Sequence, residues 1–548
     1  MEFRQDDLTP LTSRLLTLVV TTLLITALFA GHGVALSTAE DEAAVPTQDP
    51  NEATISPEVQ SASGTVQVVV RLSAVELPET DDRDVLIEQM KAQTEESQTV
   101  IRDLASDTEG VSVLGDFWLA NAVLLEVDTS EFDPEQLTTL DGVTQVHENE
   151  QELETTRSIS DIDPQVETTT EQGSSRFDVS VGMGSTVHQL TGQSTATTRP
   201  GQTTEPLAGE GEYTYGLEDI NVPEAWNQFN TQGSGATVAV LDTGIDASHP
   251  DLDLDKWAEF DASGDEVPSN PSDFGSHGTH VSGTLAGGDA SGTAVGVAPN
   301  VELLASPALG GGWGRTIAAM QWAVENDADV MNLSFGIPAT SGSVYAPRYI
   351  EPIQNAINAQ TLVVTSAGNS GDGRTGSPAN IYSAISVGNV DSNGNVDSDS
   401  SGEVVDTSEA WGEDAPGSWP EEFTVPTLAA PGSNVYSTLP TGNGDQYGTL
   451  SGTSMAAPHV SGVAALMDAA TQENLGPTEI REALEETADG PNSPNTREGY
   501  GIVDAQAAIE AVVDDPPNET ITVETTDASD VGTTSATLEG DLLELGES

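Results

Sequence analysis

Three side chains of this sequence could together transfer an acyl group: Asp242, His277 and Ser454. Asp242 closes the apolar run of "VAVLDTG", so a buried strand would deliver its carboxylate to a turn. A carboxylate there can work in two ways: paired with a second one, the two sharing a proton, or singly, holding a histidine in one tautomer. Within one chain the paired form needs a second Asp-Thr-Gly or Asp-Ser-Gly, and none occurs. A homodimer could supply the second copy, so that alternative stays open at this motif. His277, in "SHGTHVSGTLAG", follows a Gly-Ser turn and opens a helical pattern of small residues. Ser454, in "GTSMAAPHVSGVAALM", follows Gly-Thr and opens another.

A serine hydroxyl is a weak nucleophile until an adjacent imidazole takes its proton, and a buried carboxylate orients that imidazole and stabilises its cation. Singly, the three residues have ordinary explanations: a capping aspartate, a core histidine and a helix N-cap serine. Together, in the order Asp, His, Ser and at a strand end and two helix starts, they resemble the subtilisin-like serine proteases, the subtilase family. The resemblance implies an endopeptidase that works through an acyl-enzyme and is made as a self-processing zymogen. It also implies donors for an oxyanion. These are Asn369, in the Ala-Gly-Asn of "TLVVTSAGNSG", and the Ser454 backbone N–H, assisted by the helix dipole.

The same resemblance makes "NLSFGIP", with Ser334 and Gly336, one wall of a cleft that takes peptide as an added strand. It makes "RTGSPAN", with Gly376, the floor of the primary specificity pocket. Neither segment places an acidic side chain to select Lys or Arg, so an apolar or aromatic preference is expected. Asp251, in "HPDL", matches a structural-calcium ligand of several relatives, but "AGGDASGTAVG" lacks the asparagine that would complete the site. No cofactor is expected, and no His-Glu-x-x-His or comparable metal motif occurs. His249, His280 and His459 are expected as structural partners. The competing function from another class is a cell-surface adhesive protein whose protease-like domain is inactive.

The elements that must position these residues alternate. From 213 to 513, short apolar strands such as "ATVAVLD", "ADVMNLSFG" and "TLVVTSAGN" are separated by helical patterns such as "RTIAAMQWAVEN". This predicts an α/β domain with a mostly parallel sheet covered by helices on both faces. Before it, residues 63–151 read as strand (66–72), helix (83–105), two strands (111–117, 121–128), short helix (132–140) and strand (143–150), the ferredoxin-like order. Under the resemblance this α+β unit is the propeptide, which assists folding and blocks the cleft. Residues 39–62 and 152–212 lack apolar periodicity and read as linkers. Residues 514–548 read as the start of a β-sandwich or a disordered tail.

The N-terminal 1–38 place Arg4 and Arg14 before the apolar run 15–30, the pattern of a signal peptide, or of a membrane anchor if it is not removed. Secretion is expected, with a cell-surface location in the anchored case. Lys+Arg total 15 against Asp+Glu 90, a formal net charge of −75, and cysteine is absent. Such a chain repels nucleic acid and anionic lipid, and without cysteines it has no disulfide framework. Because the carboxylates are spread through apolar-periodic segments, the composition resembles that of haloarchaeal proteins, and a folded, salt-adapted, halolysin-like monomer is expected. Its partners are protein or peptide substrates and its own propeptide.

Overall fold

The structure is a computed structural model that describes residues 53–150, 153–155, 211–471 and 475–513, apart from 76, 78, 79, 81 and 492, together with 523–525 and 540–542. The expected leader over 1–38, most of both expected linkers and the rest of the tail lie outside the described residues. Among the described residues no helix is long and apolar enough to cross a membrane.

The N-terminal elements are β1 (Thr54–Ile55), α1 (Pro57–Gln60), β2 (Thr65–Leu72), α2 (Arg83–Ser97), α3 (Thr99–Asp107), β3 (Val111–Phe117), β4 (Ala122–Asp128) and β5 (Val143–Glu148). They form one sheet in the order β1-β5-β2-β4-β3, antiparallel except for the β1–β5 pair. The end of the expected linker 39–62 is therefore structured. β1 is held at long range by Thr54 opposite Gln145, and Ser56 both caps α1 and donates to Glu148 at 2.7 Å. The single helix expected over 83–105 is two, because at Gln98 the side-chain amide turns inward and donates to the carbonyls of Phe117 and Ala122. The short helix expected over 132–140 is a 3₁₀ turn, Pro134–Thr139.

The main domain follows β6 (Glu154–Thr155). It comprises α4 (Tyr215–Asp219), α5 (Val222–Phe229), β7 (Thr237–Asp242), β8 (Lys256–Trp257), α6 (His277–Ala286), β9 (Glu302–Pro307), α7 (Trp313–Glu325), β10 (Val330–Leu333), β11 (Phe335–Gly336), α8 (Ile350–Asn358), β12 (Leu362–Ser366) and β13 (Ile385–Val390). The chain continues through β14 (Glu403–Asp406), α9 (Thr407–Ala410), β15 (Glu422–Val425), β16 (Leu428–Pro431), β17 (Val435–Thr438), β18 (Tyr447–Leu450), α10 (Thr453–Ala470), α11 (Pro477–Thr487) and α12 (Ala505–Val512). Beyond it, β19 (Val523–Thr525) and β20 (Gly540–Leu542) pair antiparallel with each other.

Seven strands make a wholly parallel sheet, β16-β13-β12-β10-β7-β9-β8. Side chains alternate across a strand, and β7 shows the result. Val238 and Val240 join the core under α6 and α10, while Ala239 and Leu241 join the core under α7 and α8. With both faces covered, every strand residue of β10, β12 and β13 is buried, the continuous apolar signature of a parallel sheet.

The N-terminal sheet is buried on both faces as well. Val68 and Val70 of β2 pack with Ile101 of α3, whereas Val69, Met90, Phe117 and Leu119 belong to the same apolar cluster as Trp313 and Ile317 of α7. Polar groups cross this junction at both ends of α7. The Asn149 side-chain carbonyl accepts from Gly314 N–H at 2.9 Å, and the Arg83 guanidinium donates to the carbonyls of Val324 and Ala328 at 3.0 and 3.2 Å. Each satisfies backbone groups that a helix terminus leaves open.

One ion pair at the junction titrates. Arg71 of β2 lies 3.5 Å from Glu351 of α8, and both side chains are buried. Burial pushes the Glu351 carboxyl up from 4.5 to about 7, and the attraction of Arg71 only partly opposes it. The folded chain thus holds a proton at Glu351 that the unfolded chain releases near pH 4.5. Stability from this group is complete below that value and is lost as pH rises to about 7. In full-length chains, denaturant melts should show the parent losing roughly 2 to 3 kcal/mol across that window relative to Glu351→Gln. Parallel pH profiles for the two chains would contradict the assignment.

Candidate active site

In parallel sheets, functional groups collect at the carboxyl ends of the strands. Asp242 is the last residue of β7, between β9 and β10 near the sheet centre. Its carboxylate receives the Thr243 N–H and the His277 ring, both at 2.7 Å. The bond to His277 Nδ1 places the ring proton there and presents Nε2 as the basic nitrogen. Nε2 has no hydrogen-bond partner among the described residues, and Asp242 and His277 are wholly buried.

The glycines of the two motifs have a physical cause. Gly244, with φ of +112°, leaves no room for a Cβ, which would lie 2.1 Å from the Ser272 carbonyl oxygen. A Cβ on Gly278 would lie 2.1 Å from the Gly244 oxygen. Asp-Thr-Gly and His-Gly-Thr-His are therefore the segments where two backbones meet, and any side chain there would separate Asp242 from His277.

Ser454 is the second residue of α10, which begins after Gly452 and is buried from Thr453 to Met467. α6 and α10 pack against each other, and both begin at the carboxyl edge of the sheet. The Ser454 hydroxyl donates to the Ser334 carbonyl at 2.8 Å, while the Ser334 hydroxyl donates back to the Ser454 carbonyl at 2.9 Å. The nucleophile candidate is thus turned onto the chain after β10, and rotation about its Cα–Cβ bond would turn it off that carbonyl. Reactive hydrogen bonds commonly tighten only when substrate is bound.

Asn369 follows β12. Its Oδ1 accepts from both the N–H and the hydroxyl of Thr453 at 3.1 Å. Two donors on one side fix the amide orientation, so Nδ2 is the group left over. It is buried and has no partner among the described residues. A buried polar donor without a partner costs roughly 1 to 3 kcal/mol, and such an exception calls for a functional account.

Glu154 and Thr155, placed in the expected linker 152–212, form β6, antiparallel to Phe335 and Gly336 of β11. This is pairing of the peptide-as-strand kind. A cavity of about 130 Å³ lies beside it, lined by Thr155, Gly336, Ala367, Asn369 and Gly376 among others. The structure thus gathers Gly336, Gly376 and Asn369 at one cavity and puts Ser334 behind Ser454. A Cβ on Gly376 would lie 2.0 Å from the Ile337 oxygen, so only glycine allows this wall to close against the other.

The three histidines expected as structural partners bond to main-chain carbonyls: His249 to Gln446, His280 to Val435 and His459 to Met455. Burial lowers His459 to about 4, which keeps it neutral. Asp251 accepts from the Ala290 N–H at 2.6 Å and the Tyr447 hydroxyl at 2.8 Å. Among the described residues, no group of three or more His, Cys, Asp or Glu is arranged to hold a metal ion.

Residues 233–501 match the peptidase S8 domain, described as the subtilase family. The M-protease of Shouchella clausii is 38% identical over 303 residues, covering 54% of this chain and 69% of that protein. Subtilisin Savinase of Lederbergia lenta is also 38% identical over 303 residues, covering 97% of its own length. The chain belongs to the subtilase family. The major intracellular serine protease of Bacillus subtilis, 36% identical over 296 residues and covered to 81%, is a further relative of this subtilase. The protein is accordingly a serine endopeptidase.

Several contacts at the candidate site had no signal of their own in the sequence. Thr453 orients Asn369; Ser334, expected only as a cleft-wall residue, also exchanges hydrogen bonds with Ser454; and β6 pairs with β11. A Gly-Thr pair before the serine gave a hint of the first. The other two depend on residues more than a hundred positions apart.

Proposed function

We propose that this subtilase is an exported, salt-adapted endopeptidase made as a zymogen, with Asp242, His277 and Ser454 as its triad. His277 Nε2 would take the Ser454 proton as Oγ attacks the scissile carbonyl, and Asp242 would stabilise the resulting imidazolium. Asn369 Nδ2 and the Ser454 N–H would hold the oxyanion. The observation that carries this reading is the pair of buried nitrogens, His277 Nε2 and Asn369 Nδ2, which like Asp242 Oδ2 have no hydrogen-bond partner among the described residues. One is an acceptor awaiting a proton and the other a donor awaiting a negative charge.

The ferredoxin-like N-terminal domain would be the propeptide. Its large apolar contact with α7 and the run of its chain into β6, along β11, support that role. Ser334, Gly336 and Gly376 would contact substrate, with an apolar or aromatic preference, and no cofactor would be required. Export rests on the apolar leader of residues 15–30.

Salt adaptation rests on charge. Several of the cations among the described residues are committed to specific contacts: Arg83, Arg481 and Arg497 donate to main-chain carbonyls, and Lys91 and Lys256 pair with Glu325 and Glu302. Most carboxylates are left to repel one another. The Debye length falls from about 10 Å at 0.1 M salt to about 3 Å at 1 M, so brine screens that repulsion. Phenylmethylsulfonyl fluoride should add one sulfonyl group, at Ser454, in molar NaCl and none after dialysis into dilute buffer. Labelling elsewhere would refute the nucleophile, and equal labelling in dilute buffer would refute the salt adaptation.

A further inference from the structure

His277 and Asp242 stand on different elements, 35 residues apart, yet their contact is 2.7 Å. The turn after β7 and the start of α6 must be held together by something other than this pair. Asp273 does so with both carboxylate oxygens. Its Oδ1 accepts from the Thr243 hydroxyl at 2.7 Å and from the N–H groups of Gly275 and Ser276 at 2.8 Å. Its Oδ2 accepts from the N–H of Thr279 at 2.8 Å and from its hydroxyl at 2.6 Å. Thr243 follows Asp242 directly, Ser276 precedes His277 directly, and Thr279 lies in the first turn of α6.

Two further contacts complete the lock. Thr243 Oγ1 accepts from Gly278 N–H at 2.9 Å, and Thr279 Oγ1 accepts from Asp246 N–H at 3.0 Å. Each threonine hydroxyl thus gives its proton to Asp273 and receives one from the opposite segment. An ionised acceptor strengthens such bonds and suits the positive end of a helix. Ser276 adds a constraint: its φ of +78° is a left-handed conformation that a residue with a side chain adopts only when its surroundings impose it. Its own side chain makes no capping bond, and the bond from its N–H to Asp273 is what pins it.

We propose that Asp273 is a positioning residue for the reaction: its carboxylate locks the turn after β7 to the first turn of α6 and so sets the Asp242–His277 contact. It touches neither substrate nor the reacting atoms. The inference rests on the triad reading above.

Asp273→Asn keeps the volume but sets an amide N–H against a donor on one side or the other. Misplacement of a catalytic group on the ångström scale can lower a rate by roughly 10²-fold. The kcat per active site, with sites counted by sulfonylation, should fall by about 10- to 100-fold, with KM changed by less than about twofold. Thr243→Val, which removes only the bridging hydroxyl, should show a smaller fall of the same kind. Adding it to Asp273→Asn should cost little more, because both break one network. Adding Ser276→Gly to Asp273→Asn should recover part of the rate, since glycine needs no help at that φ.

A readout independent of turnover comes from chains carrying Ser454→Ala. There the downfield proton resonance of His277 Nδ1–H, bonded to Asp242, should shift or broaden when Asp273→Asn is added. Parent-like kcat per titrated site with only a lowered Tm, or an unmoved Nδ1–H resonance, would overturn the inference. Failure of the parent to be sulfonylated at Ser454 would instead overturn the triad reading, and the resonance would still decide the role of Asp273.

Discussion

Replacing Ser454 with alanine is expected to lower kcat by on the order of 10⁶ and to leave the chain uncut. The nucleophile and its base act as a unit, so removing the hydroxyl forfeits the proton transfer to His277 as well as the covalent step. Ground-state contacts along β11 and the cavity beside it are untouched, so β6 should keep its place there in the uncut variant. Stability should change little, because the hydrogen bond to the Ser334 carbonyl that the side chain gives up contributes about 1 kcal/mol. In the zymogen reading proposed above, the same nucleophile would make the processing cut on the enzyme's own chain. The precursor should therefore accumulate at full length, as mass spectrometry would record. Normal processing of this variant in a protease-free preparation would show that the cut is made by another enzyme.

The second large effect is expected at Asn369. Asn369→Leu preserves size and removes the free Nδ2 donor, and should lower kcat by about 10²- to 10³-fold with KM close to the parent's. The loss falls on kcat because negative charge builds on the oxyanion only in the transition state. The substitution also removes the acceptor for Thr453 N–H and Oγ1. Thr453→Val, which deletes the hydroxyl and keeps the N–H, measures part of that contribution and should be much milder. A fall confined to KM would assign Asn369 to substrate binding rather than to the oxyanion.

What could be read from the sequence, and what could not, divides by the range of the interactions involved. The main domain was legible because β7, β10 and β12 are short, mostly apolar buried runs and α7 is periodic: local patterns that a parallel sheet imposes on its own residues. The motifs led to the family because each binds its neighbours tightly. Gly244 and Gly278 are required by backbone contact, and Thr243 and Thr279 by hydrogen bonds. Elements defined by distant partners were not legible. β1 is two residues long and exists through its pairing with β5. The helix over 83–105 breaks where Gln98 meets the carbonyls of Phe117 and Ala122. The packing of Trp411 on Trp419, with ring centroids 5.8 Å apart, had no periodic trace between β14 and β15. Asp273 lay four residues from His277, yet nothing marked it among ninety carboxylates.

The strand β6 has a consequence in concentration. While the backbone is continuous, Glu154 and Thr155 meet Gly336 and Phe335 from the same molecule, and a tethered segment of this kind behaves as a ligand at millimolar effective concentration. No dilution of the protein weakens that occupancy. A single cut downstream of Thr155 would turn it into an ordinary bimolecular association, governed by total protein and by any digestion of the freed fragment. The cleft would then respond to how crowded its surroundings are: closed where many copies are confined together, and open once they disperse.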